Sequence, residues 1–518
     1  TYYGAAIHIE DVGDDAGGPI DGRISLEGMS CSNSIEGVRV DGAVGLTLND
    51  SVISHNQMKG VYGTGMRWSI IANNTISYNG GTGVQAAGIH LFWNDGPLMV
   101  SGNEVHDTYS IRENGSGSGV EVKGIFSTSN TDIQITDNIV RDNYLVDTDM
   151  ALASNSNSRV YGVHSLSDTR PVLMDNEVRG NEALAMMNSS YARTYMYGIH
   201  LADGHDALVQ ANDVRDNVIL ASKWAYVYAM IVQTSPEVII SGNIITGNSA
   251  LNPPTSNYSG IYGLYMMNCA WATVTGNEVS HNIKVGNTGM SAGIYMANVD
   301  NNTLEGNLIS SNNFTEGDYA GNPSGIGVYL NSGVNDCRFV SNEISYNYAQ
   351  AIYLAANTNR NDLFLNVFDH NALTTDTYDP NLPQCVDTSS SNVWYHETDL
   401  LGNLWTDWTS PDADGNDIVD DPYVIDKPAG DDLYPLTGPV ARATSPSIQA
   451  VNGSVHLAWS SPAYVLYGDD VRYEVQRSVN GSGFSLLATT DLTTYVDTFP
   501  AGAADVAYRI VACTDHGR

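Results

Sequence analysis

The chain has 518 residues, with 58 acidic against 22 basic side chains and a formal charge of −36. So acidic a chain, with lysine only at Lys59, Lys123, Lys223, Lys284 and Lys427, excludes a phosphate-backbone binder, which needs clustered cations. No run of 18 apolar residues occurs, which excludes a membrane-spanning helix; the surface suits a salty medium or multivalent cations, and equally plain hydration.

Residues 1–25 form a separate opening segment, expected as an N-terminal cap, with a Gly- and Asp-rich loop over 11–21. The chain begins at Thr1 with no signal-like stretch, as a processed secreted protein would. From there one phrase keeps returning: Asn, any residue, Val or Ile, two residues, Asn. It reads Asn74/Ile76/Asn79, Asn138/Val140/Asn143, Asn176/Val178/Asn181, Asn212/Val214/Asn217, Asn243/Ile245/Asn248, Asn277/Val279/Asn282, Asn307/Ile309/Asn312, Asn342/Ile344/Asn347 and Asn366/Phe368/Asn371. Weaker copies stand at Ser51/Ile53/Asn56 and Asn103/Val105/Thr108. Successive anchors lie 23 to 38 residues apart, and the intervals hold short β-rich runs without a 3.6-residue apolar period. Each interval therefore reads as one coil of a β-solenoid. The apolar residue points inward and the Asn sit at corners, where Asn tolerates left-handed backbone and stacks into amide ladders.

A second phrase runs through the same intervals: Gly, an aliphatic residue, then an aromatic or His. It gives Gly60-Val61-Tyr62, Gly88-Ile89-His90, Gly124-Ile125-Phe126, Gly162-Val163-His164, Gly198-Ile199-His200, Gly263-Leu264-Tyr265, Gly293-Ile294-Tyr295, Gly327-Val328-Tyr329 and Ala351-Ile352-Tyr353. Alternation places the aliphatic residues on one face and the rings on the other. Longer intervals around 108–123, 143–160, 181–197 and 248–262 are expected to form lateral loops or longer strands.

Together the two phrases resemble the right-handed parallel β-helix family of the pectin-lyase type, in its NosD-like, carbohydrate-binding and sugar-hydrolase branch, over residues 20–385. The resemblance implies an all-β fold, a right-handed parallel β-helix solenoid of about 11–13 coils followed by a β-sandwich. It leaves activity open, because the branch spans lyases, hydrolases, epimerases, metal-delivery proteins and scaffolds.

The domain reading is a cap over 1–25, the β-helix over 26–385, an acidic and aromatic closing segment over 386–438, and a terminal module over 439–518. The closing segment carries Trp394, Trp405, Trp408 and Tyr423 and resembles the module that ends many NosD-like surface repeats. In the terminal module, Val455 to Trp459, Val471 to Arg477 and Val506 to Ala512 alternate as strands and resemble a fibronectin type III sandwich, whose last strand is expected beyond Arg518. The five cysteines, Cys31, Cys269, Cys337, Cys385 and Cys513, show no CxxC; a Cys337–Cys385 bridge and unpaired core thiols are both open. Sequons such as those at Asn49, Asn114, Asn188, Asn257, Asn313 and Asn480 fit a secreted glycoprotein.

Five sets of residues are candidates for chemistry. Asp412, Asp414, Asn416, the Ile418 carbonyl and Asp420 alternate as oxygen ligands for a structural Ca²⁺, or form a solvated acidic turn. The ring column, in particular Tyr265, Tyr295, Tyr329 and Tyr353, offers a strip for stacking on glycans, or a ladder that only stabilises the sheet. His90, His164 and His200 in that column are weak candidates for a metal. Asp203, His205 and Asp206 are the most suggestive acid–base cluster, although they also fit a turn and the phrases of pectin hydrolases are absent. Met186, Met187, Met266 and Met267 are the only hint of copper handling, and core packing explains them better.

These readings converge on an extracellular, cell-surface scaffold, structural or adhesive, associating with itself or other surface proteins and contacting polysaccharide. The competing expectation is a polysaccharide lyase, hydrolase or epimerase working along the helix groove.

Overall fold

A computed structural model describes residues 4–12, 24–113, 119–148, 157–186, 192–221, 223–251, 258–285, 289–315, 324–374, 377–378, 383–408, 410–413, 418–425, 430–438, 444–451, 454–461, 471–480, 482–498 and 505–513. Among them no helix occurs. One coil shows how the chain winds. Glu121–Thr128 lies in the first sheet, Thr131–Thr136 in the second, Ile139–Arg141 in the third and Tyr144–Asp147 in a fourth; Asn157–Leu166 then returns to the first sheet and pairs with Glu121–Thr128. Repetition gives parallel sheets of thirteen, twelve, thirteen and eight strands. The segment expected as a separate cap supplies a strand of its own: Ala5–Val12 pairs in parallel with Glu36–Ala43 at the head of the first sheet. At the other end Leu404–Trp405 joins the third sheet, so coiling runs past 385 into the closing segment.

Inward residues of the first three sheets make one continuous core, from Val38 and Ile53 through Ile199 and Val214 to Ile352 and Trp394. The fourth sheet explains the longer intervals. Its strands pack on the N-terminal halves of the long first-sheet strands and enclose a second core that includes Leu145, Val160, Met196, Ile219 and Val227. The glycine of the second phrase is a spacing device. A Cβ on Gly162 would overlap Val178 Cγ1 and stand 2.6 Å from the Gly198 carbonyl oxygen, because the first sheet crosses closely over the third there.

The Asn phrase forms ladders with one direction. At the corner between second and third sheets, Asn103 N and Nδ2 both donate to Asn138 Oδ1 (3.0 Å each), and Asn138 does the same to Asn176. The chain of bonds runs on through Asn212, Asn243, Asn277, Asn307, Asn342, Asn366 and Asn403. Every member is buried, so each bond spares a polar group that water cannot reach. This ladder ends on a carboxylate: Asp432 Oδ2 accepts from Asn403 N, Asn403 Nδ2 and Trp405 Nε1. The second Asn of the phrase forms a parallel ladder from Asn143 to Asn371, which passes to Gln384 and then to Asp407. Two shorter ladders end likewise, Asn94 through Asn130 on Asp168 and Asn361 through Asn392 on Asp387. An acceptor-only group is what such an end requires, since the last amide donors need a partner that has nothing further to donate.

Cys31, Cys269, Cys337 and Cys385 are buried free thiols, which leaves no Cys337–Cys385 bridge. The thiols of Cys269 and Cys337 are buried and contact backbone carbonyls, and burial pushes them up to about 11 and about 12. After residue 444 the chain forms two three-stranded antiparallel sheets that share a small core of Val455, Leu457, Trp459, Tyr473, Val475 and Ala512.

Candidate functional site

The outer face of the first sheet carries most of the unusual side chains. Its register brings the rings of the second phrase into a row: Tyr62, His90, Phe126, His164, His200, then Tyr265, Tyr295, Tyr329 and Tyr353. The row is broken once, by Ile231, which pairs with His200 on one side and Tyr265 on the other. Tyr265, Tyr295, Tyr329 and Tyr353 stack at centroid spacings of 4.6, 5.4 and 5.3 Å, so each ring face is covered by the next ring. Tyr295 and Tyr329 are 8% and 7% exposed, and Asn331 Nδ2 donates to the Tyr295 hydroxyl at 2.6 Å. Burial pushes the Tyr329 phenol up to about 12 and raises that of Tyr265 further.

A second row, hidden in the long intervals, lies beside the first. Tyr161, Tyr197, Tyr228 and Tyr262 are in register on the same face. They reach across to the first row: Tyr161 stacks on His164 at 4.4 Å and Tyr197 on His200 at 5.0 Å. Tyr195 with Tyr226, and Trp224 with Tyr258, extend the wall outward. The two histidines stack at 4.6 Å with planes 4° apart, and none of their four ring nitrogens has a hydrogen-bond partner among the described residues. Nitrogen lone pairs lie in the ring plane, so parallel rings do not converge on one ion. Burial keeps both neutral, His200 at about 3 and His164 well below its usual value.

The N-terminal end of this face is charged instead. Glu36, Lys59, Ala87, Lys123 and Tyr161 follow one another in register. Arg39 pairs with Glu36 (3.1 Å) and Asp41 (2.6 Å), Lys59 with Glu36 (3.5 Å), and Lys123 and Arg159 with Glu121 (3.2 and 2.7 Å). The Lys59 ammonium sits 4.0 Å from the Tyr62 ring centroid and that of Lys123 3.8 Å from Phe126. Desolvation, only partly offset by the glutamates, lowers the proton affinity of both lysines, and His90 beside them falls to about 3. Glu36, Lys59 and Lys123 lie 23 and 64 residues apart, and no local motif announces the cluster.

The other candidate residues lie elsewhere. Asp203, His205 and Asp206 are exposed on the corner between first and second sheets, with Asp203 and Asp206 in the left-handed conformation that Asp tolerates (φ 54° and 51°). Of the Ca²⁺ candidates, Asp414 and Asn416 lie outside the described residues. Asp420 accepts from Ala413 N, and Ile418 bridges to Leu436. Among the described residues no group of three or more His, Cys, Asp or Glu is placed to hold a metal. Met266 is in the core, and Met187 lies outside the described residues.

The parallel winding agrees with a family model described as "Right handed beta helix region", which matches residues 21–190, 152–287 and 198–396. The chain belongs to this right-handed β-helix family. No curated protein sequence matches it. Among solved structures, it is similar to the tailspike protein of E. coli bacteriophage HK620 in complex with a pentasaccharide, at 13% identity and a TM-score of 0.28 over 95% of this chain and 81% of that one. It is also similar to the Dettilon tailspike protein, at 12% identity and a TM-score of 0.20 over 90% and 87%. In this β-helix, as the ladders and ring rows show, most repeated side chains are spent on each other.

Proposed function

We propose that this β-helix is an extracellular cell-surface scaffold of the NosD-like branch, structural or adhesive, which associates with itself or with other surface proteins and touches glycans. The observation that carries this reading is the outer face of the first sheet, where a groove-working enzyme would hold open, converging groups. Over most of its length that face is instead a self-stacked aromatic wall. The terminal module fits a fibronectin type III arrangement, with sheet orders Thr444–Val451, Ser454–Ser460, Thr494–Thr498 and Ser485–Thr490, Arg472–Val479, Val506–Cys513. A Ca²⁺ in the acidic loop from Asp412 to Asp420 would brace the closing segment; a melting temperature unmoved by chelator would discard it. Electron microscopy of the native protein on cells tests the scaffold: ordered arrays or filaments support it, and monomers dispersed in the medium argue against it.

The charged end favours one second reading, a polysaccharide-active enzyme. Glu36, Glu121, Lys59 and Lys123, with their depressed ammonium affinities, are the acid–base material it would use. Release of reducing ends from a bacterial exopolysaccharide, abolished by Lys123→Ala, would establish it; no turnover over days would remove it.

A further inference from the structure

Three tryptophans stand where tryptophan is least expected. Trp68, Trp93 and Trp271 are 62%, 69% and 62% exposed, and all three sit in the left-handed region at the corner between first and second sheets (φ 53°, 56° and 60°). At equivalent turn positions other coils use Ser129, Asp132, Ser167, Asp203, Asp206 or Asn301. A bulky ring at positive φ is disfavoured by sterics; Trp93 packs against Phe92 (centroids 4.9 Å apart), but at Trp68 and Trp271 an exposed indole gains little from burial, so neither packing nor backbone explains the choice.

Trp68 alone of the three lines a described groove, of about 600 Å³, on the outer face of the second sheet. The floor is an in-register row of Thr47, Ile70, Met99 and Gln134. One wall is raised by a break in the ladder: pairing between Asp95–Ser101 and Thr131–Thr136 shifts between Asp95 and Leu98, which lifts Pro97. Asp132 stands at the rim, its carboxylate gripped by Arg170 at 2.7 and 2.9 Å and held below the usual carboxylate range by that pairing.

We propose that Trp68 and this groove form a subsite for an uncharged saccharide, with the indole against the apolar face of a sugar ring and Gln134, Asp132 and Thr47 taking its hydroxyls. The lining selects this class. An anionic ligand would meet Asp132 and Asp95, while the nearby cations are engaged, Arg67 with Asp95 at 3.6 Å and Arg170 with Asp132. An extended peptide would need a free strand edge, and the strands Thr47–Asn49, Ser69–Ala72, Asp95–Ser101 and Thr131–Thr136 all lie inside the second sheet, paired on both sides. Four coils about 4.8 Å apart set the groove's repeat, close to the length of one sugar residue along a chain. The proposal rests on the glycan contact put forward above and moves it from the tyrosine wall, whose ring faces are covered, to an indole that is open.

Affinity electrophoresis of the full chain in gels containing dextran, laminarin, mannan or arabinoxylan tests it. The expected result is retardation in at least one gel, weakened tenfold or more by Trp68→Ala and several-fold by Gln134→Ala, and unchanged by the distant Trp271→Ala. Trp68→Ala relieves a strained exposed position, and an unaltered thermal melt will show that it folds. Retardation that survives Trp68→Ala overturns the subsite and leaves glycan contact standing; retardation lost instead in Tyr265→Ala returns the site to the wall. No retardation of the native chain in any of the four gels overturns both.

Discussion

Each coil turns two very different corners. Between second and third sheets the corner is filled by one amide per coil, buried and bonded to the coils on either side. Between first and second sheets the corner carries, among the described residues, only two short amide ladders, Asn94–Asn130–Asp168 and Asn361–Asn392–Asp387, and its turn positions vary freely, with Trp68, Asp132, Arg170, Asp206, Glu237, Trp271, Asn301, Asp336 and Arg360 all in left-handed geometry. Left-handed residues turn both corners, and between second and third sheets they precede the ladder Asn and vary as well (Asn73, Asp137, Asp175, Ala211, Ser341), so backbone shape does not dictate identity. The difference lies in who satisfies the polar groups. Where water is excluded, only an Asn matched to its neighbours closes the hydrogen bonds, so the residue repeats. Where water has access, any side chain able to bear the conformation is admitted, and recognition has room there.

The comparison fails if the two corners respond alike to one substitution. Asn243→Leu strands the Asn212 N and Nδ2 donors and frees the carbonyls of Val209 and Ser241; it is expected to cost roughly 3–6 kcal/mol. Asp203→Leu on the open corner is expected to cost about 1 kcal/mol, the strain of a larger residue at positive φ. Urea unfolding midpoints of the two variants, with equal slopes, decide the matter.

Tyr329→Ala asks whether the wall belongs with the closed corner. It removes a buried ring stacked between Tyr295 and Tyr353 and is expected to lose about 3–4 kcal/mol. A loss below 1 kcal/mol would mean the wall is a surface kept for a ligand.

Acid provides a third probe. Burial raises Asp432 to about 6 and also raises Asp168 and Asp387, so the folded chain holds these protons more tightly than the unfolded chain. For Asp432 that contribution is complete below the unfolded value of about 4, fades as pH rises through about 6, and amounts to at most about 3 kcal/mol. The Asp432 proton therefore favours the folded chain as pH falls, but the buried neutral His90, His164 and His200, which the unfolded chain protonates near 6.5, act against it and dominate, so thermal stability is expected to fall as pH drops from 7 to 5. Asp432→Asn removes the offsetting proton that titrates at about 6 and should steepen that fall. The smallest effect expected is a gain of about 0.5–1 kcal/mol for Trp271→Asn, as strain is relieved on the open corner, read as a rise in melting temperature.

Legibility in the sequence followed the same division. The Asn phrase and the Gly–aliphatic–ring phrase recur because buried geometry demands them, and both led directly to coil, corner and inward face. The row Tyr161, Tyr197, Tyr228 and Tyr262 was obscured, because it lies in intervals whose extra residues read equally as loops and prove to extend the first-sheet strands to ten residues. Ile231 breaks the ring column where Ala229 replaces the expected Gly, so the phrase itself fails there. The Glu36–Lys59–Lys123 cluster and the Trp68 groove are assembled only by stacking, from residues with no local signature. Asp432 and Asp387, acidic residues in a segment that suggested calcium, instead receive the last donors of two amide ladders.

Those carboxylates make the solenoid resemble a polymer with a built-in terminator. Each amide propagates the bond it receives, and a carboxylate accepts without passing anything on. A further coil, or a second molecule, arriving beyond Asp432 would find no amide donor to continue the series. Coil number is thereby written into the chain as stoichiometry, and the amide series itself offers nothing with which to lengthen the helix at this end.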